Sequence, residues 1–409
     1  MSLVIFKSSP FIVLSVFFGT FLILSGYSPS INLSLFSETL AQSDVEVVKY
    51  KNLTIDLDDG KISTKAQLSY PAIGKGPFPG VLLVPGSGEA DMNYTTAENA
   101  KPFWQISQFL SERGFVVLKY DKRGIGENNT IINEKVWENV TYNELKQDAL
   151  KAISVLIQQP EVDPKKISLI GHSEGGEIVT RLATDNLTTK FDNIVLMDAR
   201  IENASNSVYH GLVEFPLEYA KQVLDKNHSG SFSLKEALHD QIFQSMIGGN
   251  TSLILSPTII DNSSNKLSKS VSNLNKDRYV NILTELKPVL EKKFEKTFEG
   301  SKCNPMEGPC PVYLKSLINL TSTLDIIDNV SSSTGILILH GQNDSGVPVQ
   351  LAYLLQQKLF ELNHPDHTLI TYPDLGHLFF PSTRWTTESG PIPEYVLTDL
   401  YSWLESHSR

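Results

Sequence analysis

Hydrophobic and polar positions follow two alternating patterns along the chain, one with the period of strands and one with that of helices. Residues 45–71 read as extended β structure with a turn at Asp59-Gly60. Beyond them, short apolar runs at 81–84, 115–120, 167–170 and 194–197 are separated by segments with helical spacing at 104–113, 142–159 and 175–183. Short apolar strands separated by helices predict an α/β fold, in which a mostly parallel sheet carries helices on both faces.

The pattern breaks near Asp198 and resumes at residue 335. Strands at 335–339 and 368–372 and helices at 349–362 and 395–405 complete it. The intervening stretch reads as helices with polar linkers: one apolar helical face is formed by Leu212, Phe215, Tyr219 and Val223, and a loop rich in Ser, Asn and Lys spans 261–276. We therefore predict a core in two parts, 42–199 and 334–409, and a helical insertion at 200–333, either a lid over a site or a satellite bundle.

The N-terminal segment, 1–41, has the composition of a targeting sequence. Lys7 precedes an apolar run at 11–24, which is shorter than the roughly 20 residues that a membrane span needs and suits a signal-peptide h-region. Thr39-Leu40-Ala41 could serve for cleavage but lies far from the run, so an uncleaved anchor that tethers the protein to a membrane stays an alternative. A third interpretation of the apolar run is a helix buried in the core of the protein. We expect an extracytoplasmic protein, secreted or anchored by its N-terminus.

Glycosylation sequons support export independently. The chain has 13 Asn-x-Ser/Thr triplets, about three times the number that its composition gives by chance. They begin at Asn32, Asn52, Asn93, Asn128, Asn139, Asn186, Asn203, Asn227, Asn250, Asn262, Asn319, Asn329 and Asn343. Such an excess predicts a glycosylated surface. In an oxidising compartment we also expect a disulfide between Cys303 and Cys310, the alternative being two thiols.

Composition excludes several classes of protein. The formal net charge is −11 and the hydrophobic content 41%, which fits a globular protein with a sizeable core and argues against binding of nucleic acid, since phosphates require clustered Lys and Arg. Two cysteines cannot form a four-thiolate zinc site or a disulfide-built scaffold.

The strongest chemical motif is Gly171-His172-Ser173-Glu174-Gly175, which follows a predicted strand and opens a predicted helix. This is G-x-S-x-G in the context that a nucleophile turn requires, because only small neighbours fit the sharp turn that raises the serine hydroxyl above the sheet. The helix N-terminus behind it favours developing negative charge. The alternative is a plain glycine turn.

A serine nucleophile needs a base and an acid that orients the base. His377 and Asp344 each follow a predicted strand, at the edge where open α/β sheets place their sites. In isolation each would read as an ordinary loop residue. Asp198, at the end of the preceding strand, is the rival acid, and we favour Asp344 because His-Gly-Gln-Asn-Asp followed by Val347-Pro348 is the more specific pattern.

The oxyanion of a tetrahedral intermediate needs two convergent N–H donors. We predict the backbone N–H groups of Glu174, directly after the nucleophile, and of Ser87, in the glycine turn after residue 84. A phosphate-binding loop is disfavoured because no Gly-Lys-Ser/Thr follows. The segment 120–126 fails as a dinucleotide fingerprint, since Asn129 stands where the third glycine belongs. Asp121 and Arg123 are instead expected to hold that loop beside the nucleophile turn.

These pieces resemble the α/β-hydrolase superfamily, nearest to serine-aminopeptidase-like and dienelactone-hydrolase-like esterases with a helical cap. The resemblance covers about 79–199 and 334–409 and rests on Val84-Pro85-Gly86-Ser87-Gly88, Tyr120-Asp121-Lys122-Arg123-Gly124-Ile125-Gly126, Gly171-His172-Ser173-Glu174-Gly175-Gly176, His340-Gly341-Gln342-Asn343-Asp344 and Gly376-His377. It implies Ser173 as nucleophile, Asp344 as acid and His377 as base. Pro85 departs from the histidine that many relatives carry there, and the insertion lies outside the resemblance.

The sequence therefore predicts a serine hydrolase that cleaves small-molecule carboxylic esters, without metal or organic cofactor. Thioester hydrolysis, acyl transfer and aminopeptidase activity use the same three side chains and stay alternatives, as does a catalytically silent binding protein on the same fold. We expect Asn343 to be unmodified, because a glycan beside Asp344 would crowd the site.

Overall fold

A computed structural model describes residues 47–185, 190–248, 278–299, 310–385 and 388–408. The predicted targeting segment, the loop at 261–276 and Cys303 lie outside these residues. Within them, no helix combines the length and the apolar composition needed to cross a bilayer.

An eight-stranded sheet forms the centre of the fold, in the order β1-β2-β4-β3-β5-β6-β9-β10. Its strands are β1 (Val48–Asp56), β2 (Ser63–Pro71), β3 (Phe78–Val84), β4 (Val116–Tyr120), β5 (Val162–His172), β6 (Asn193–Met197), β9 (Gly335–Gly341) and β10 (His367–Tyr372). The six strands from β4 to β10 in the sheet order are parallel, and β2 is antiparallel to both β1 and β4. The predicted mostly parallel α/β sheet is confirmed.

Helices cover both faces of this sheet, as predicted. The core helices are α1 (Pro102–Ser111), α2 (Glu134–Glu138), α3 (Tyr142–Ile157), α4 (Glu174–Thr184), α12 (Val349–Glu361) and α13 (Glu394–His407). Leu82 and Val84 of β3 pack into a core with α3, α4 and α12, whereas Val81 and Leu83 pack into a second core with α1 and α13. Successive residues of a strand point to opposite faces, so a wholly apolar strand supplies both cores.

The segment between β6 and β9 is mostly helical and has its own apolar core. Its helices are α5 (Ala204–Tyr209), α6 (Phe215–Tyr219), α7 (Leu234–His239), α8 (Gln241–Ile247), α9 (Lys287–Glu299), α10 (Pro311–Leu317) and α11 (Thr323–Ile326), and five-residue π-helical turns flank α6 and precede α9. Two three-residue strands, β7 (Ser231–Ser233) and β8 (Tyr279–Asn281), pair antiparallel. The sequence did not predict this pair, because three residues are too few to show alternation.

Candidate active site

The parallel strands β5, β6, β9 and β10 end at the same edge of the sheet. His172 pairs with Met197, Met197 with Leu339, and Gly341 with Tyr372. Side chains that directly follow these strands therefore meet at one edge, which is where open α/β sheets bind ligands. The strand ends place Ser173, Asp198, Asp344 and His377 in this region.

Ser173 occupies a strained turn between β5 and α4. Its backbone has φ 54° and ψ −118°, a left-handed conformation that residues other than glycine rarely adopt. Its N–H donates to Met197 O at 3.0 Å, and its carbonyl oxygen accepts from Gly176 N and Arg200 N at 3.0 Å each. A Cβ at Gly175 would overlap the carbonyl oxygen of Val84, which explains why the motif requires glycine after the turn. The geometry is that of a nucleophile turn.

Asp344 and His377 form a direct hydrogen bond. His377 Nδ1 lies 2.7 Å from Asp344 Oδ2, while Asp344 Oδ1 accepts from Gly346 N at 2.6 Å and Val347 N at 2.9 Å. Burial alone would raise the pKa of the Asp344 carboxyl, but the charge and hydrogen bond of His377 hold that pKa below its usual value. Burial likewise opposes protonation of His377, but the charge of Asp344 and its hydrogen bond raise the pKa of the imidazole above its usual value. The two groups stabilise each other's charged forms.

Asp198, the rival acid, lies in the same cluster but in a different protonation state. It is fully buried, and its Oδ1 accepts from Gly341 N at 2.8 Å, whereas Oδ2 has no hydrogen-bond partner among the described residues. Burial and then the negative charge of Asp344 raise the pKa of Asp198 well above its usual value. Two adjacent carboxyl groups do not both ionise easily. Of the two, Asp344 is therefore the more readily ionised and Asp198 the more readily protonated.

His172 links the nucleophile turn to the loop that carries His377. Its Nε2 lies 2.7 Å from His377 O and its Nδ1 3.1 Å from Tyr94 OH. Burial and then the neighbouring His377 lower the pKa of His172 to about 3, so the ring is neutral. Because a carbonyl can only accept, Nε2 carries the proton and Nδ1 accepts from Tyr94. The residue before Ser173 thus holds the backbone of His377.

Ser173 and His377 are both half-buried, so a ligand can reach them. Within the described part of the chain, the Ser173 hydroxyl makes no hydrogen bond. The imidazole of His377 is hydrogen-bonded to Asp344 but not to Ser173. Such bonds are often long in ligand-free enzymes and shorten when substrate binds.

Glu388 holds the His377 loop and was not predicted from the sequence. Its carboxylate accepts hydrogen bonds from the N–H groups of His377 and of Leu378, the latter at 2.7 Å. Gly376 packs so closely on this carboxylate that a Cβ there would overlap it. Burial raises the pKa of Glu388, and the two N–H donors only partly offset this. Since residue 388 lies 16 residues beyond β10, no local pattern reveals the contact.

The loop after β3 lies directly against Ser173. A Cβ at Gly86 would lie 2.9 Å from Ser173 Cβ and 2.5 Å from Tyr94 OH, so glycine is required for this approach. The next residue, Ser87, is exposed, and its Oγ lies 3.4 Å from Glu174 Oε2. The structure thus brings together the residues of the two predicted oxyanion donors, Ser87 and Glu174; the role of their N–H groups stays a prediction.

The segment after β4 holds these loops through Lys122, a residue to which the sequence assigned no role. Asp121 accepts from Met92 N at 2.7 Å, as expected of a structural residue in the neighbouring loop. Arg123 instead pairs with Asp148 at 2.5 Å and with Glu144 at 2.8 Å, both on α3. Arg123 thus holds the segment on the side of α3, whereas Lys122 makes the contact with the nucleophile turn, with Nζ 3.2 Å from Glu174 Oε1.

Comparison with known proteins identifies the family. A family model described as the alpha/beta hydrolase fold matches residues 79–382. The chain belongs to the α/β-hydrolase fold family. The predicted fold class and the resemblance on which it rested are confirmed.

Two relatives illustrate how far this likeness extends. Esterase EstD from Thermotoga maritima is 33% identical over 157 residues, which cover 38% of this chain and 33% of EstD. This chain thus spans about a third of the length of that relative. The structure of DcsB in complex with its substrate analogue is similar with a TM-score of 0.50 and 14% identity, covering 88% of this chain and 99% of DcsB; this likeness bears on the fold alone. The family match and the esterase relative support a hydrolase.

Two groups of potential metal ligands occur in the part of this α/β hydrolase that the structure describes, both within the site already described. The groups are His172, Asp198 and His377, and Asp198, His340 and Asp344, with ligand atoms within 4.8 Å of one another. Both ring nitrogens of His172 and both oxygens of Asp344 are engaged in hydrogen bonds, and His340 Nε2 bonds to Val347 O at 2.9 Å. We interpret both groups as parts of one hydrogen-bond network.

The helical segment between β6 and β9 contacts the loops of the site. Tyr313 OH of α10 lies 3.3 Å from Ser87 Oγ, and Glu218 of α6 pairs with Arg384 at 2.6 Å. Trp385 packs against Phe215 with ring centroids 5.2 Å apart. These contacts fit the predicted lid, although its boundaries stay a prediction. Cys310, directly before α10, is disulfide-bonded, and Cys303, the other cysteine of the chain, lies outside the described residues.

Nine of the 13 sequons fall in the described residues. Six of these asparagines are exposed: Asn52, Asn128, Asn139, Asn227, Asn319 and Asn329. Asn343 is half-buried, and its Nδ2 donates to Ser382 O at 2.8 Å. Because a glycan attaches at this nitrogen, the contact supports the expectation that Asn343 is unmodified; glycosylation stays a prediction throughout.

Proposed function

We propose that this protein is a serine hydrolase that cleaves carboxylic esters through an acyl-enzyme intermediate, with Ser173 as nucleophile, His377 as base and Asp344 as orienting acid. The observation that carries the proposal is the 2.7 Å hydrogen bond between Asp344 and His377, at the same sheet edge as the strained Ser173 turn. The match to an esterase over 157 residues supports ester substrates.

The proposed chemistry follows from the positions of the protons. Asp344 accepts a hydrogen bond from the Nδ1–H of His377, which leaves a lone pair on Nε2 to take the proton of Ser173 as its oxygen attacks the acyl carbon. The Ser87 and Glu174 N–H groups would bind the resulting oxyanion. His377 then gives its proton to the departing alkoxide. Water, deprotonated by His377 in turn, releases the acid and restores Ser173.

A cavity supports substrates with an apolar acyl group. It has a volume of about 380 Å³ and lies between the helical segment and the loops that follow Asp344 and His377. Its lining combines four apolar residues, Phe215, Ile242, Met246 and Trp385, with four polar ones, Gln241, Ser245, Ser345 and Arg384. Aromatic and aliphatic side chains with a few polar groups are typical of small-molecule sites.

The bond type is tested with a matched ester, thioester and amide of one hydrophobic acyl group. We expect kcat/KM to be highest for the ester, because an alkoxide leaves more readily than an amine and the tetrahedral intermediate therefore partitions forward. Faster cleavage of the amide would instead indicate a peptidase. No turnover of any of the three by the folded protein would favour the silent binding protein.

Replacing Glu388 by glutamine should impair His377 without removing it. We expect kcat to fall about ten- to hundredfold. The side-chain NH₂ of glutamine would face one of the two backbone N–H donors, and this contact between two donors would loosen the loop that positions the base. The negative charge of Glu388 helps to raise the pKa of His377. Its loss should therefore move the acidic limb of the kcat/KM profile to lower pH, since the neutral imidazole is the base.

The matched control is Glu394→Gln, an exposed glutamate at the start of α13. Full pH–rate profiles of both variants and of the wild type test whether Glu388 positions His377. A Glu388→Gln profile that coincides with the control in both kcat and acidic limb would show that Glu388 does not position the base.

We also propose that the protein acts outside the cytoplasm. The excess of sequons and the exposure of six of the nine described asparagines support this. Glycopeptide mapping of the native protein tests it, and an absence of glycans at all six exposed sites would contradict it.

A further inference from the structure

Lys122 is a buried lysine whose three donors all find partners in the loops of the site. The residue is 3% exposed. Its Nζ donates to Gly86 O at 2.5 Å and to Gly88 O at 3.3 Å, and it lies 3.2 Å from Glu174 Oε1. An ammonium group has three N–H donors. All three N–H donors of Lys122 are therefore bonded to the loop after β3 and to Glu174, the residue after Ser173.

The bond to Gly86 fixes the direction of one predicted oxyanion donor. The carbonyl of Gly86 and the N–H of Ser87 belong to one peptide unit, and the only cis peptide among the described residues precedes Pro77. In a planar trans peptide, C=O and N–H point in opposite directions. Because Lys122 holds the Gly86 carbonyl, the Ser87 N–H must point away from the ammonium group.

The contact with Lys122 compensates the negative charge of the Glu174 side chain, which would otherwise oppose catalysis. The Glu174 side chain has no exposed surface, although its backbone N–H is the second predicted donor. A buried carboxylate so close to a developing oxyanion disfavours that oxyanion unless cations compensate it. Lys122 at 3.2 Å and Arg200 at 3.6 Å supply this compensation.

We propose that Lys122 is the positioning residue of the oxyanion site: it orients the Ser87 N–H through the Gly86 carbonyl and offsets the charge of Glu174. This inference rests on the proposed serine-hydrolase function. Lys122 need not touch the substrate; it acts through the peptide unit that does.

The first test is Lys122→Met, which keeps the length of the side chain and removes its charge and donors. We expect kcat for an ester to fall about 10²-fold, as when one oxyanion donor is lost, with KM within about threefold of the wild type. The affinity for a trifluoromethyl ketone, which forms a tetrahedral adduct with the serine, should fall by a similar factor. The matched control is Lys146→Met, whose ammonium group pairs with Asp185 at 3.0 Å on the outer surface.

A double variant separates positioning from simple stabilisation. Lys122→Met leaves Glu174 partly uncompensated and can destabilise the fold, whereas Lys122→Met/Glu174→Gln removes the unpaired charge as well. We expect the double variant to regain the wild-type melting temperature but only part of the lost kcat, because the Glu174 charge is gone while the Gly86 carbonyl is still unheld. Recovery of the full wild-type kcat together with stability would overturn the inference, since no orienting effect through Gly86 would then remain.

The outcomes also distinguish this inference from the function on which it rests. Wild-type kcat in Lys122→Met, beside an inactive Ser173→Ala, would refute the role of Lys122 and leave the hydrolase intact. Absence of ester turnover in the folded wild type would refute both.

Discussion

Replacing Ser173 by alanine is expected to lower the turnover of an ester substrate by about 10⁴-fold or more. The Ser173 oxygen forms the covalent bond to the acyl group, and no neighbouring hydroxyl occupies the same strained turn. The residual rate should be that of water attack within the site. Steady-state kinetics on the purified variant measure the loss.

The variant should be folded, so the loss can be assigned to chemistry. The Ser173 hydroxyl makes no hydrogen bond among the described residues, and its removal leaves no buried polar partner unsatisfied. Ser154→Ala is the matched control, since that half-buried serine on α3 donates to Leu150 O at 3.0 Å, remote from the sheet edge of the site. Turnover within tenfold of the wild type in a folded Ser173→Ala protein would exclude Ser173 as nucleophile.

The second large effect is expected from Asp344→Asn. The amide would present an N–H to His377 Nδ1 and so favour the tautomer with its proton on Nε2, which cannot accept the proton of serine. We expect a loss of about 10⁴-fold in kcat with little change in KM. Steady-state kinetics at a pH above the acidic limb, with kcat and KM determined separately, measure the loss.

Asp198→Asn is the matched comparison, because asparagine imitates a neutral carboxylic acid. Its oxygen can still accept from Gly341 N, which Asp198 Oδ1 contacts at 2.8 Å, and its amide, like a protonated carboxyl group, carries no charge. We expect a loss of no more than about tenfold. A larger loss for Asp198→Asn than for Asp344→Asn would reverse the assignment of the acid.

The sequence predicted those parts of the site that have a local signature. Ser173 sits in a pentapeptide whose glycines the turn requires, and Asp344 and His377 each follow an apolar strand, so their common edge could be inferred. The choice between Asp344 and Asp198 could be argued only from the surrounding pattern. Its physical basis is the hydrogen bond of His377 to Asp344 and the number of N–H donors around each carboxyl, which depend on packing between strands far apart in sequence.

Glu388 and Lys122 could not be predicted, for the same reason. Glu388 is one carboxylate in a polar loop, and its contact with the N–H groups of His377 and Leu378 depends on how that loop folds back. Lys122 lies in a segment whose predicted structural residues are Asp121 and Arg123, and the side chain of Arg123 bonds to α3 rather than to the nucleophile turn. Side chains that act on a distant backbone leave no periodicity to detect.

In the helical insertion, too, the local structure could be predicted from the sequence but the long-range contacts could not. Its helical character was predicted from the apolar face that includes Phe215 and Tyr219, and both residues are buried. The contacts of Trp385 with Phe215 and Tyr219, each with ring centroids 5.2 Å apart, join two segments about 170 residues apart. Only the folded chain shows that these aromatic residues connect the insertion to the loop beyond His377.

Covalent labelling with a fluorophosphonate probe tests the nucleophile most directly, because it needs no knowledge of the natural substrate. Reaction requires a serine oxygen made reactive by a base. Intact mass and peptide mapping should find one adduct on the wild type, on Ser173, and none on Ser173→Ala under the same conditions. A folded wild-type protein that stays unlabelled, or that carries its adduct on another serine, would contradict the proposed role of Ser173.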